Sequence, residues 1–190
     1  MKLQVPEGSR EDLELVWLLE HLELDEGHKL DILEIGGADS PLSMLLAKAG
    51  HNVTCVDVRD WSAKPSDAPG AVASPAEVTK VETPPFNFIK GDFLAVDLKP
   101  GSFDLVIALS SIEHFGLGYY GDRKLEWGDA LAVLKVHEVL RLRGRFVTTV
   151  PVGLPKTTEH WRRYDRHGLT ARIIGPFGII RREYFTGFDF

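Results

Sequence analysis

The chain predicts an α/β fold of three layers, α/β/α, around a mostly parallel sheet. Two observations carry this. Short apolar runs rich in β-branched and aromatic residues recur at 30–35, 53–58, 86–90, 103–109 and 145–150, as strands buried on both faces require. Stretches with helical spacing, 41–49 and 131–142, alternate with them, and a strand, a helix and a strand in so short a length make a parallel βαβ unit.

The bulk properties narrow the class. At 190 residues, 44% hydrophobic and 26% charged, the sequence fits a single domain, 1–190, with a sizeable core. A net charge of −6 argues against nonspecific nucleic-acid binding. The single cysteine, Cys55, falls in a strand pattern and reads as core. No apolar run is long enough for a membrane and the N-terminus shows no leader pattern, so a cytoplasmic protein is expected.

Residues 1–28 read as a loose tail and an N-terminal helix. Ser9 to Asp12 resembles a capping box, and Leu13, Trp17 and Leu24 are expected on its apolar side. The first strand ends at Gly36-Gly37. Ser40 or Asp39 is placed to cap the next helix, Pro41 suits its first turn, and Leu42, Leu45 and Leu46 are expected to face the sheet. Gly50 stops that helix, and the second strand runs into Asp57 and Val58. The stretch 61–85 is broken by Pro65, Pro69, Pro75, Pro84 and Pro85 and reads as a loop-like crossover with at most a short helix near 76–81. The third strand leads to Gly91-Asp92-Phe93, the fourth to Ser110-Ser111. Gly144 ends the helix before the fifth strand; a polar aromatic loop runs to Tyr164, a short helix falls at 169–174, and 178–185 is expected to be a sixth strand.

Open parallel sheets bind ligands outside the carboxyl ends of their strands. Four such ends carry chemistry here. The Gly36-Gly37 turn points backbone N–H groups and a positive helix end at its ligand. Asp57 lies about twenty residues on, where an acid accepts from both ribose hydroxyls. Asp92 offers an acceptor for an exocyclic amine and Phe93 a wall for a base. The glycine register gives Gly36, Ala38 and Pro41, a poor dinucleotide fingerprint, and the P-loop pattern is absent. Glu34, two residues before the first glycine, would repel a pyrophosphate but attract a sulfonium. That favours S-adenosylmethionine as the cofactor.

Taken in order, Glu34-x-Gly36-Gly37, Asp57, Gly91-Asp92-Phe93, Phe103 to Ala108 with Ser110 to His114, and Leu140 to Val147 resemble the motifs of class I S-adenosylmethionine-dependent methyltransferases, with 111–122 similar to a less characterised branch. The resemblance spans 30–150. It implies a Rossmann-like sheet of six to seven strands, the seventh antiparallel. Only five residues follow the expected sixth strand, so the seventh looks missing or truncated, and the open sheet edge offers a surface for a homodimer. Ala38 and Ser40 stand where the family usually has glycine.

The expected cofactor contacts are Glu34, Gly36, Gly37, Asp57, Val58, Asp92, Phe93 and Ser110. The resemblance places Glu113 and His114 facing the reactive methyl group. His114 is the candidate base, since histidine titrates near neutrality, and an equal alternative has both residues holding the loop or the cofactor. Tyr119, Tyr120, His160, Arg162 and Tyr164 combine aromatic walls with charge and form the candidate pocket for a small-molecule acceptor. No metal site is expected, because no ligand spacing is present. Methyl transfer to a small acceptor, by default to oxygen, is the first functional expectation. A non-catalytic module that binds adenosyl ligands or serves assembly is the second, and nicotinamide chemistry fails on the glycine register.

Overall fold

The computed structural model describes residues 10–22, 24, 27–61 and 84–184. Within them β1 (Asp31–Ile35), β2 (Asn52–Asp57), β3 (Asn87–Lys90), β4 (Phe103–Leu109) and β5 (Leu140–Thr149) form one sheet in the order β3-β2-β1-β4-β5. Every pairing in it is parallel. β1 lies at the centre with β2 and β4 on either side, so strand order reverses at its carboxyl end. There the crevice of a doubly wound sheet opens.

Alternation along the strands divides the core into two layers. Ile32 of β1 and Leu105 and Ile107 of β4 point to one face, with Val53 and Cys55 of β2, and are covered by α1 (Arg10–His21) and α2 (Leu42–Lys48). Leu33, Ile35, Val106 and Ala108 point to the other, under α3 (Gly128–Val139). Helices on both sides of a parallel sheet confirm the three-layer expectation. Cys55 is fully buried, and burial pushes its thiol pKa up.

Several local expectations change. The buried side of α1 carries Leu15 and Leu18, continued by Leu22 just beyond its end, while Leu13 is 48% exposed and Trp17 and Leu24 are half-buried. Apolar residues run almost all round this helix, so spacing alone does not choose its face; docking on the sheet does. In α2, Leu42 and Leu46 are buried as expected, but Ser43 rather than Leu45 completes the buried side. Ser40 Oγ accepts from Leu42 N at 3.1 Å, and Asp39 turns instead to Arg59.

β5 begins at Leu140, five residues earlier than its apolar run. Phe103 pairs with Leu140 and Leu105 with Arg145, so the intervening residues bulge out, with Arg143 at φ +66°. The stretch 178–184 is not a strand. It is exposed and pairs with nothing in the sheet, which among the described residues therefore has five strands rather than the expected six to seven. Its β-branched composition reflects no burial, and its anchor is a side chain: Trp17 Nε1 donates to Glu183 Oε2 at 2.6 Å. The loop after β5 contains a small antiparallel pair, β6 (Lys156–Thr157) and β7 (Arg162–Arg163). α4 (Arg166–Leu169) follows and runs into a π-helical turn, Thr170–Ile174. Most of the 61–85 crossover and the N-terminal tail lie outside the described residues.

Candidate functional site

A cavity of about 120 Å³ opens at the carboxyl ends of β1 to β4. β1 supplies Ile35 and Gly36. β2 supplies Asp57, Val58 and Arg59. The turn after β3 supplies Gly91, Asp92 and Phe93, and the segment after β4 supplies Ser110, Ser111, His114, Phe115, Tyr120 and Asp122. Four turns that are distant in sequence thus meet at one point because their strands are neighbours.

The β1 turn is shaped by what lies around it. Gly36 sits at φ +76°, and a Cβ there would come 2.6 Å from Ser111 Oγ, so only glycine fits. Ser111 Oγ itself donates to Ile35 O at 2.8 Å. Gly37 lies directly on the Glu34 carboxyl group and has no room for a side chain. Glu34 shares a face with Ile32, toward α2, where it accepts a hydrogen bond from Ser43 Oγ. It is 3% exposed and does not line the cavity. Burial raises its carboxyl pKa to about 7, against the opposing pull of the Ser43 and Ser40 hydroxyls. The sequence expects Glu34, two residues before Gly36, to contact the cofactor; in the structure it lies in β1, and strand alternation sends its side chain beneath the turn.

Asp57 ties two turns together. Its Oδ2 accepts from Ala38 N at 2.9 Å and its Oδ1 from Arg59 N at 2.8 Å. Arg59 Nη2 reaches Oδ2 at 3.3 Å, and Nη1 pairs with Asp39. Asp92 Oδ1 accepts from Leu94 N at 2.9 Å, and Phe93 is buried edge-on against Phe115 with centroids 6.0 Å apart. Lys135 of α3 holds this turn from behind by donating to Phe93 O at 2.6 Å.

Ser110 adopts φ +43°, uncommon for a residue with a side chain. Two neighbours hold it: its N–H donates to Thr149 Oγ1 at 2.8 Å and its hydroxyl to Glu14 Oε1 at 2.7 Å. Glu14, a nearly buried carboxylate of α1, was not singled out from the sequence, where it is one acid among several in the first turns.

His114 ends a short 3₁₀ turn, Ile112–His114, and lines the cavity. Its Nδ1 donates to His160 O. A carbonyl only accepts, so Nδ1 carries the proton and Nε2 is the basic nitrogen of the neutral ring. Glu113, 1% exposed, has its Oε1 3.9 Å from that Nε2. Tyr120 lines the cavity with its ring edge-to-face with His114 at 5.5 Å. Tyr119 and His160 stand one layer behind, stacked edge-on at 4.0 Å.

Arg162 and Tyr164 fall elsewhere. Arg162 is 5% exposed and donates to Phe115 O at 2.5 Å and to Leu125 O at 3.4 Å, pinning the post-β4 loop from inside. Tyr164 Oη donates to Asp129 Oδ2 at 2.9 Å in the core, and burial pushes its phenol pKa up. Asp129, fully buried, also receives Arg172 Nη1 at 2.7 Å. These two side chains are framework rather than acceptor contacts, since their polar atoms are turned onto the post-β4 loop and α3. Among the described residues, no group of three or more His, Cys, Asp or Glu is placed to hold a metal ion, and no helix is long and apolar enough to cross a membrane.

A family model described as a methyltransferase domain matches residues 33–148. No curated protein matches the chain. Similar folds occur among solved structures. A 1,6-didemethyltoxoflavin-N1-methyltransferase of Burkholderia thailandensis, solved with 1,6-didemethyltoxoflavin and S-adenosylhomocysteine, is 16% identical with a TM-score of 0.57, the match covering 87% of this chain and 66% of that one. The YcgJ protein of Bacillus subtilis is 16% identical with a TM-score of 0.57, covering 84% of this chain and 65% of that one. A protein of Pyrococcus horikoshii is 17% identical with a TM-score of 0.54, covering 86% and 80%. The chain spans about two thirds of the first two and four fifths of the third.

Proposed function

The chain belongs to the methyltransferase-domain family, and on that premise we propose that it transfers a methyl group from S-adenosylmethionine to a small-molecule acceptor in the cleft above β1. One observation supports this most. Gly36, Asp57 and Asp92, each at the end of a different strand, line the same cavity as His114.

The residues fit an adenosyl ligand. Gly36, whose missing Cβ makes room for Ser111, turns the backbone at φ +76° into the cavity it lines. Asp57 accepts from the ribose, Val58 and Phe93 flank the base, Asp92 takes the exocyclic amine, and Ser110 borders the methionine end. When bound, S-adenosylmethionine supplies a methyl group activated by a sulfonium. The protein then has to align the acceptor and remove its proton, and positioning alone contributes much of the rate. His114 Nε2 is the base for a hydroxyl acceptor, with the His160 carbonyl fixing its tautomer and Glu113 stabilising the imidazolium. Tyr120 walls the acceptor side, with Tyr119 packed behind it. Oxygen remains the default target atom.

A second reading, an adenosyl-binding module without turnover, draws on Ala38 and Ser40, which stand where the family usually has glycine. Calorimetry and a transfer assay with a panel of small hydroxyl acceptors separate the readings. S-adenosylhomocysteine is expected to bind and NAD not; Asp57→Ala should weaken binding at least tenfold. Tight binding of NAD alone would overturn the proposal. Binding without methylation of any acceptor would favour the module. His114→Gln should lower turnover at least a hundredfold at unchanged cofactor affinity.

A further inference from the structure

The loops after β2 and β4 touch each other although their strands are not neighbours. β1 lies between them in the sheet. The contact is Arg59 over the Tyr120 ring, 5.8 Å from guanidinium carbon to centroid. It therefore passes above the Gly36 turn, and both residues line the cavity beneath it. Each end of this bridge is anchored. Arg59 is paired with Asp39 of the glycine turn and, at 3.3 Å, with Asp57. Tyr120 rests edge-on against His114. Its loop is jointed by Gly116, Gly118 and Gly121, all at positive φ, and pinned at the base where Asp122 Oδ2 accepts from Gly116 N at 2.8 Å.

The acceptor capacity of Asp57 sharpens the point. A carboxylate offers about four lone-pair positions. Ala38 N, Arg59 N and Arg59 Nη2 use three of them. A ribose diol brings two donors, so one contact has to yield, and the 3.3 Å guanidinium contact is the longest. Released from Asp57, the guanidinium keeps Asp39 and the Tyr120 ring, and so lies across the sugar.

We infer that Arg59 and Tyr120 form a roof over the ribose, and that Arg59 is a further cofactor-binding residue that retains the adenosyl ligand. The inference rests on the adenosyl reading above. The test is the release rate of S-adenosylhomocysteine, measured by surface plasmon resonance on the full chain. Arg59→Ala and Tyr120→Ala should each speed release about fivefold, the scale of a partly exposed cation–π contact with its ion pair. The double variant should be no faster than the faster single variant, because either change removes the same contact. Tyr120→Phe, which keeps the ring, should retain slow release. Release unchanged in both single variants, or effects that multiply in the double variant, would overturn the roof while leaving the cofactor reading intact. A wild-type chain that fails to bind S-adenosylhomocysteine would overturn both.

Discussion

Glu34 shows how one side chain links the glycine turn to stability. Its carboxyl is stripped of water beneath Gly37 and titrates at about 7 when folded, against 4.5 for the free group. Between those values the folded protein holds a proton that the unfolded chain has lost. The stabilising contribution is therefore full below about pH 4.5 and disappears as pH rises through 7, an upper limit of about 3 kcal/mol. Denaturant midpoints measured from pH 5 to 8 should fall across that window in the wild-type protein. Glu34→Gln, which keeps an acceptor for Ser43 and removes the charge, should flatten the dependence. A steady midpoint in the wild-type protein would show that Glu34 ionises freely. Gly36 has the opposite character, with no tolerance at all. Gly36→Ala combines a φ of +76° with a Cβ 2.6 Å from Ser111 Oγ. It should lower stability by about 1–3 kcal/mol and displace the Ser111 hydroxyl, with loss of ligand binding seen by calorimetry.

Among the elements, the post-β4 segment depends on side chains rather than on regular structure. It has three residues of 3₁₀ helix and a run of positive-φ glycines. Arg162 satisfies carbonyls of this loop from the inside, and its Nε lies 3.9 Å from the buried Asp129. Lysine cannot reproduce the planar fork. Arg162→Lys should therefore cost about 2–4 kcal/mol in chemical denaturation, because buried carbonyls lose their donors. At temperatures where the variant stays folded, its affinity for S-adenosylhomocysteine should change less than threefold. A loss of this affinity with unchanged stability would make Arg162 part of the cofactor site rather than of the framework. The elements themselves were legible in the sequence wherever burial was two-sided. β1 and β4 are apolar runs that read as strands without ambiguity. The face of α1 was not legible, since Leu13 and Leu15 look alike until the sheet selects one of them. Nor was 178–184, whose isoleucines match a strand that finds no neighbour. The start of β5 at Leu140 is set by pairing with Phe103, a tertiary fact with no local signal.

At the scale of the molecule, the cleft exists only because four turns converge, so a ligand there bears on the whole fold. The convergence was legible because each motif closely follows an apolar strand: Gly36, Asp57 and Ser110 are a strand's last member or the first residue beyond it, and Asp92 is the second residue beyond β3. What the sequence concealed is direction. Glu34 points down and Arg162 inward, while Arg59, two residues past the β2 acid, reaches across β1. A ligand that bridges the turns should stabilise the protein in proportion to its binding. At a concentration a hundred times its dissociation constant, S-adenosylhomocysteine should add about 2.7 kcal/mol. For a chain of this size that raises Tm by about 5–10 °C in a thermal melt. Asp57→Ala, which binds at least tenfold more weakly, should show at most about half of that increment at the same concentration. Arg162→Lys should start from a lower Tm and gain the same increment as the wild-type protein, because the site and its framework contribute separately. Equal loss of increment in both variants would mean that cleft and framework are one cooperative unit.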